Sequence, residues 1–240
     1  MRDPDPRHEI VQASQILFAN GVVDAFGHVS QRNPDHPQTF HMSRSKAPAL
    51  VSLEDVLEVD LGGEPPCEPG ARLFLERFIH TEIYRRHPDV NAVVHSHAVA
   101  VLPFTVVASV PLRPVSHMCG FLRGLKAPFD IAKCAGDGSD LLIRSPELGR
   151  ALAEHLDEAK VALMRGHGFT TVGGSIQEAV FNAVYTQFNA RVLLDALRLG
   201  TPHYLSAAEA QACETTTLTQ ASRAWDLWVR QYTSWMSQDS

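Results

Sequence analysis

The chain has 240 residues, of which 45% are hydrophobic and 20% charged, with a formal net charge of −6. That is enough apolar material for a real core, and the length suits a single α/β domain over residues 1–240. No stripe of Lys or Arg is present, so a nucleic-acid backbone or an anionic membrane is excluded as the main partner. Four cysteines (Cys67, Cys119, Cys134, Cys213) form no CxxC pair, which argues against a disulfide scaffold or a zinc knuckle and for a reducing compartment. The opening MRDPDPRHEI is polar and lacks a signal-type segment. The apolar stretch from Ala98 to Val110 is too short to span a bilayer and is broken by Pro103. A cytoplasmic chain is the expectation.

Taken in chain order, residues 8–20 put Ile10, Ala13 and Leu17 at helical spacing, with Gly21 as the stop. GHVSQR at 27–32 and Phe40-His41-Met42 predict strands, the second leading into the loop Ser43-Arg44-Ser45-Lys46. Ser52 with Asp55 predicts a capping box, and Leu57–Leu61 alternates like a strand. A helix is expected over 71–86, then a buried strand over Val90–Val101 and a second apolar strand over Phe104–Val110. Leu141–Ile143 predicts a short strand, and Ser145-Pro146 the start of a helix to about 156. Strands at Val161–Met164 and Phe169–Val172 flank Arg165-Gly-His-Gly, and Ser175 with Glu178 opens a long helix that Gly200 ends. From about residue 206 a helical C-terminal extension follows. The alternation predicts an α/β fold with a central mixed sheet covered by helices.

His95-Ser96-His97 carries the chemistry. Side chains at i and i+2 of a strand share a face, so the two imidazoles converge. Neutral imidazole is a common ligand for divalent first-row ions. An HxH pair alone is weak evidence, because strand histidines are frequently incidental. His167, between two glycines at a strand end, adds a third donor, and three histidines leave coordination positions open for catalysis. Glu76 is expected on the preceding helix with His80 one turn later, as a fourth ligand or a proton carrier. Its bland reading is an exposed residue paired with Arg77 or His80.

GHVS at 27–30, Glu76 with Arg77-Phe-Ile-His80, NAVVHSHAVAV at 91–101 and LMRGHG at 163–168 resemble the class II aldolase/adducin-head family, over roughly residues 8–205. The resemblance implies a three-layer α/β/α sandwich around a mixed sheet. It also implies a divalent ion (zinc or manganese, with iron or cobalt as options) on His95, His97 and His167, and ligand or acid/base work for Glu76. A homotetramer with active sites near subunit contacts is implied as well.

Departures from the family pattern bear on substrate. Sugar-phosphate aldolases of the family carry a Thr-Gly turn and a Ser-Ser pair that hold phosphate. Met42-Ser43-Arg44-Ser45 and Phe74-Leu75 stand at those positions here. Two hydroxyl donors are replaced by apolar groups, whereas Arg44 and Lys46 offer anchors for a carboxylate, with solvated loop cations as the alternative. With MSRS, HMCGF (117–121), PFDI (128–131), DLLI (140–143) and RAWDLW (223–228), the chain is most similar to the hydroxyphthalate and hydroxypyridine-dicarboxylate decarboxylases of catabolic pathways. His28, Ser43 and His117 are then candidate pocket residues, though a structural role for either histidine stays open. Arg223 and Trp225 could close a pocket, but Trp225 at helical spacing with Trp228 reads equally as packing. The expected activity is decarboxylation of a small hydroxylated aromatic dicarboxylate. Its rivals are aldol cleavage of a non-phosphorylated hydroxy-keto acid, a non-catalytic adducin-like module and an iron-dependent oxygenase.

Overall fold

The computed structural model describes the backbone of residues 5–236, and residues 1–4 and 237–240 of the expected domain lie outside it. The elements are α1 (Pro6–Ala19), β1 (His28–Arg32), β2 (Thr39–Ser43), β3 (Val56–Asp60), α2 (Arg77–Arg86), β4 (Ala92–Ser96), α3 (Leu102–Val106), α4 (Ala132–Ala135), α5 (Pro146–Leu156), β5 (Val161–Met164), β6 (Gly168–Gly173), α6 (Ile176–Leu199), α7 (Ala207–Leu218) and α8 (Ala221–Met236). The strands form one sheet in the order β3-β2-β1-β4-β6-β5. All five ladders are antiparallel, and parallel pairing among the described residues is confined to the bridge between Phe129 and Met164 at one edge.

Strand alternation divides the core in two. Val29, Ala92, Val94, Val161 and Leu163 face one side, where Ile10 and Leu17 of α1 and Ile176 and Val180 of α6 pack, with Trp225 of α8. Phe40, Met42, Val93, Ala162 and Met164 face the other, against Ile79 and Ile83 of α2 and Leu152 of α5. This is the three-layer α/β arrangement expected, but its sheet is antiparallel where a mixed one was expected, because β1 to β6 are joined without a strand-to-parallel-strand crossover. Among the described residues no helix is long and apolar enough to cross a membrane. Trp225 is buried in the first core, so its role is packing.

Four local expectations are corrected. The helix expected over 71–86 begins only at Arg77, and Glu76 is its N-cap with φ −91° and ψ 19°, not a residue on its face. Tertiary contacts of Phe74 and Glu76 override the helical pattern there. The apolar run after Val101 contains α3 instead of a strand, because Pro103 suits a first helical turn and an apolar run alone does not tell strand from helix. Leu141–Ile143 is irregular. The Ser139 hydroxyl and Asp140 carboxylate accept from the amides of Leu141 and Leu142, and Leu141 has φ 68°. At the start of α6, Ser175 caps the Glu178 amide, but Glu178 accepts from Gly174 and not from the cap residue itself, so the box is incomplete. The Ser52–Asp55 box is complete, around a single 3-10 turn.

The helix that carries Glu76 is held by close packing of α2 on α5. A Cβ at Gly149 of α5 would stand closer than 3.0 Å to the Phe78 carbonyl oxygen of α2 and to Glu82. Gly149→Ala is therefore expected to lower unfolding stability by about 1–3 kcal/mol, the usual cost of overpacking. Urea denaturation checks this, and an unchanged midpoint would show that the two helices part without penalty.

Candidate metal centre

β4 and β1 are paired so that His28 lies opposite His95 and Ser30 opposite Val93. His28, Ser30, Val93 and His95 thus share the face that α2 covers. β6 lies on the other side of β4, with Thr170 opposite His95. The turn from β5 to β6 brings His167 beside His97, and Gly168 permits the approach. A Cβ there would fall closer than 3.0 Å to the Ser96 carbonyl oxygen.

Four donor atoms converge. His95 Nε2 is 2.9 Å from His97 Nε2, and His97 Nε2 is 3.1 Å from His167 Nε2. Glu76 Oε2 is 3.4 Å from His95 Nε2 and 3.3 Å from His167 Nε2. The four residues form a group whose ligand atoms all lie within 4.8 Å of one another. Donors about 2.0–2.1 Å from a tetrahedral zinc ion would stand about 3.3–3.4 Å apart, and these four separations lie at or somewhat inside that spacing. The donor set fits a divalent ion, with nitrogen and carboxylate ligands suited to first-row metals.

The surrounding groups orient these donors. His95 Nδ1 donates to the Phe169 carbonyl at 3.1 Å, which leaves the Nε2 lone pair for a ligand. Glu76 Oε1 accepts from the Ile143 amide at 2.9 Å, fixing the carboxylate so that Oε2 faces the imidazoles. Burial opposes the Glu76 charge, yet His95 and His167 beside it hold the carboxyl far below its usual range. Burial, then His95 and His167, push His97 down to about 3, and burial also lowers His95 against the pull of Glu76. An ionised carboxylate beside rings whose charged form burial disfavours, at His95 and His97, suits metal ligation. His167 Nδ1 is buried without a hydrogen-bond partner.

His28 adjoins the cluster. Its ring centroid is 5.1 Å from that of His95 and 4.5 Å from that of Phe74. Its Nδ1 lies 2.7 Å from His80 Nε2, while His80 Nδ1 lies 2.6 Å from Ser30 Oγ and Ser30 Oγ 2.7 Å from the Tyr84 hydroxyl. His80 is therefore bonded to His28 and Ser30, not to Glu76 as its helical spacing suggests. The i, i+2 spacing of His28 and Ser30 and the i, i+4 spacing of His80 and Tyr84 were the available signal.

The other expected pocket residues differ in position. Arg44 follows β2 directly, one alternation step past Met42, beyond the last Ser30–Met42 pair. Ser43 alternates onto the reverse face with His41, so its side chain is not brought to the cluster. Arg44 and Lys46 are not free: Arg44 pairs with Asp55 at 3.5 Å and Glu68 at 3.2 Å, and Lys46 with Asp55 at 2.6 Å. His117 is exposed at the start of the 3-10 segment His117–Leu122, which packs against α7, and no hydrogen bond or ring contact joins it to the cluster.

The whole constellation lies within a match to the Class II Aldolase and Adducin N-terminal domain over residues 8–194, and the chain belongs to that family. It is 41% identical to the decarboxylase tropJ of Talaromyces stipitatus, over 94% of this chain and 93% of that protein. It is also 31% identical to a 3,4-dihydroxyphthalate decarboxylase of a Terrabacter species, over 81% and 82% of the two chains. Among solved structures, an L-fuculose 1-phosphate aldolase from Glaciozyma antarctica superposes with a TM-score of 0.77 at 22% identity, covering 95% of this chain and 90% of that one, which shows the shared fold.

Asp55 organises the loop after β2. Burial acts against its charge, but bonds from Lys46 and from the Ser52 hydroxyl and amide hold its pKa down to about 2. An unfolded carboxyl titrates near about 3.9, so this contribution is complete above that pH and is lost as pH falls through 2. Asp55→Asn should cost about 1.5–3 kcal/mol at neutral pH, as expected for hydrogen bonds to a charged group. The difference between parent and variant should shrink as pH falls from 5 to 2. Parallel denaturation curves at every pH would show that the network contributes nothing.

Proposed function

We propose that this chain is a divalent-metal-dependent carboxy-lyase acting on a hydroxylated aromatic dicarboxylate, in a homo-oligomer. The carrying observation is the apolar wall before Glu76. Phe74 stands against His28 beside the four ligand atoms, and Leu75 follows it with 59% of its surface exposed. A phosphate at such a wall would go unpaired, at a high desolvation cost, whereas a flat ring gains contact. The decarboxylase relatives support the same direction.

His95, His97, His167 and Glu76 would hold the ion. It would supply an electron sink for the pair left when the carbon–carbon bond breaks. Glu76 carries the proton to the ring carbon. Its Oε1 is fixed by the Ile143 amide, so Oε2 alone is available for exchange between ligation and proton transfer. His28 and Phe74 orient the ring. Of the two loop cations, Arg44 is assigned to the second carboxylate, because it comes directly after β2, one alternation step past the inward-facing Met42. Its contacts to Asp55 and Glu68 are partly exposed, and such pairs exchange at little cost. Lys46, held at 2.6 Å by Asp55, keeps the loop in place. Ser43 and His117 are left outside this scheme for a single chain.

The purified protein should contain about one divalent ion per chain, and a variant carrying both His95→Ala and His97→Ala should contain none. Full occupancy in that double variant, by elemental analysis, would remove the centre from these residues.

Turnover separates the readings. Carbon dioxide release from 3,4-dihydroxyphthalate or a related hydroxy-aromatic acid is expected, with no aldehyde from L-fuculose 1-phosphate. Glu76→Gln should fold and retain metal but lose about 10²-fold or more in kcat, because an amide cannot carry the proton. Aldehyde release with no carbon dioxide from any aromatic acid would make the chain an aldolase. Near-parental kcat in Glu76→Gln would move the proton transfer to another group.

A further inference from the structure

We propose that Tyr84, Ser30 and His80 lock His28 in its Nε2–H tautomer, so that His28 meets a substrate carboxylate oxygen as a hydrogen-bond donor and cannot serve as a fifth metal ligand. The tautomer follows from counting protons along the buried chain. The donor role rests in addition on the proposed function.

Tyr84 has one hydroxyl proton, and Ser30 Oγ at 2.7 Å is the only partner of that hydroxyl among the described residues. Tyr84 is 2% exposed and Ser30 and His80 are fully buried, so bulk water does not reach this end. The tyrosine therefore donates to Ser30. Ser30 then has its single proton left for His80 Nδ1 at 2.6 Å, which fixes His80 Nδ1 as an acceptor. His80 carries its own proton on Nε2 and donates it to His28 Nδ1 at 2.7 Å. The His28 Nδ1 lone pair is consumed, and the ring proton of His28 sits on Nε2.

The reverse direction fails at its far end. If His28 donated to His80, His80 would donate to Ser30 and Ser30 to Tyr84, leaving the phenolic proton in a closed interior with no acceptor. Burial also pushes both His28 and His80 well below the ordinary histidine range, which is consistent with neutral rings.

His28 Nε2 makes no hydrogen bond to a described residue. Its ring lies between Phe74 and His95, at the border of the apolar wall and the ligand cluster. An N–H at that border recognises an anionic oxygen. It also explains why the fourth imidazole near the centre stands outside the donor set of Glu76, His95, His97 and His167. Tyr84, Ser30 and His80 touch no substrate in this arrangement and act as positioning residues.

A neutron crystal structure of the deuterated, zinc-loaded protein tests the tautomer without any assay. Deuterium is expected on Nε2 of both His28 and His80 and absent from His28 Nδ1. Deuterium on His28 Nδ1 would overturn the proposal. The lock is tested by solid-state NMR of the protein labelled with nitrogen-15 histidine. The parent should give one His28 tautomer and Ser30→Ala two, since a water in the vacated space can donate or accept. An unchanged single tautomer in Ser30→Ala would show that the relay does not set it. For the donor role, His28→Gln keeps an amide nitrogen near the Nε2 position, whereas His28→Asn does not reach it. With 3,4-dihydroxyphthalate, His28→Asn should raise KM by about tenfold to a hundredfold at unchanged metal content, as for a lost bond to a charged group, and His28→Gln by much less. Equal losses in both would overturn the donor role. Absence of turnover with every hydroxy-aromatic acid would sink the proposed function and the donor role with it, while the neutron map decides the tautomer independently.

Discussion

A carboxylate withdrawn from water needs compensating charge, and the arrangement around Glu76 is built on that need. Only 9% of its side chain is exposed, and its inner oxygen faces the rings of His95 and His167, of which His95 is disfavoured by burial from carrying a charge. A divalent cation held among these donors would offset the charge of the buried carboxylate further. Each neighbouring feature serves this point: the Ile143 amide turns the carboxylate, the Phe169 carbonyl turns His95, and Gly168 lets His97 and His167 approach.

The same face of the sheet carries two different uses of histidine. His95, His97 and His167 turn lone pairs toward one point, whereas His28 turns its Nδ1 lone pair away, into a hydrogen-bonded chain that runs under α2. Position on a strand does not distinguish the two uses, since His28 and His95 are paired across β1 and β4. Between these two, the partner of the other ring nitrogen does. A backbone carbonyl behind a ring frees its front for metal, and a donor behind a ring closes it to metal.

Much of this was legible in the sequence because it rests on periodicity. The convergence of His95 and His97, the strands on either side of His167 and the class of fold all follow from alternation and capping, although β4 ends at Ser96 and leaves His97 just beyond the expected strand. The misses share a cause. Glu76 read as a helix residue because Phe74 through Arg77 keep a helical pattern, and the pull of Ile143 and the imidazoles on its carboxylate comes from residues distant in the chain. Leu141–Ile143 read as a strand because its apolar character is visible, while the use of its amides by Ser139, Asp140 and Glu76 is not. Arg44 and Lys46 read as open anchors because nothing local announces that Asp55 will face both.

The four donors come from three separated stretches of chain, at residues 76, 95–97 and 167, and they meet only when β4 lies beside β6. No short peptide from this chain can preassemble the cluster, so the order of assembly is constrained. Pairing of β4 with β6 closes a long loop at an entropic cost before the donors can meet. A divalent ion held at the assembled cluster would stabilise the folded chain by mass action, to a degree set by the free metal around it. At a free ion concentration of 100 times Kd, that linkage is worth about 2.7 kcal/mol.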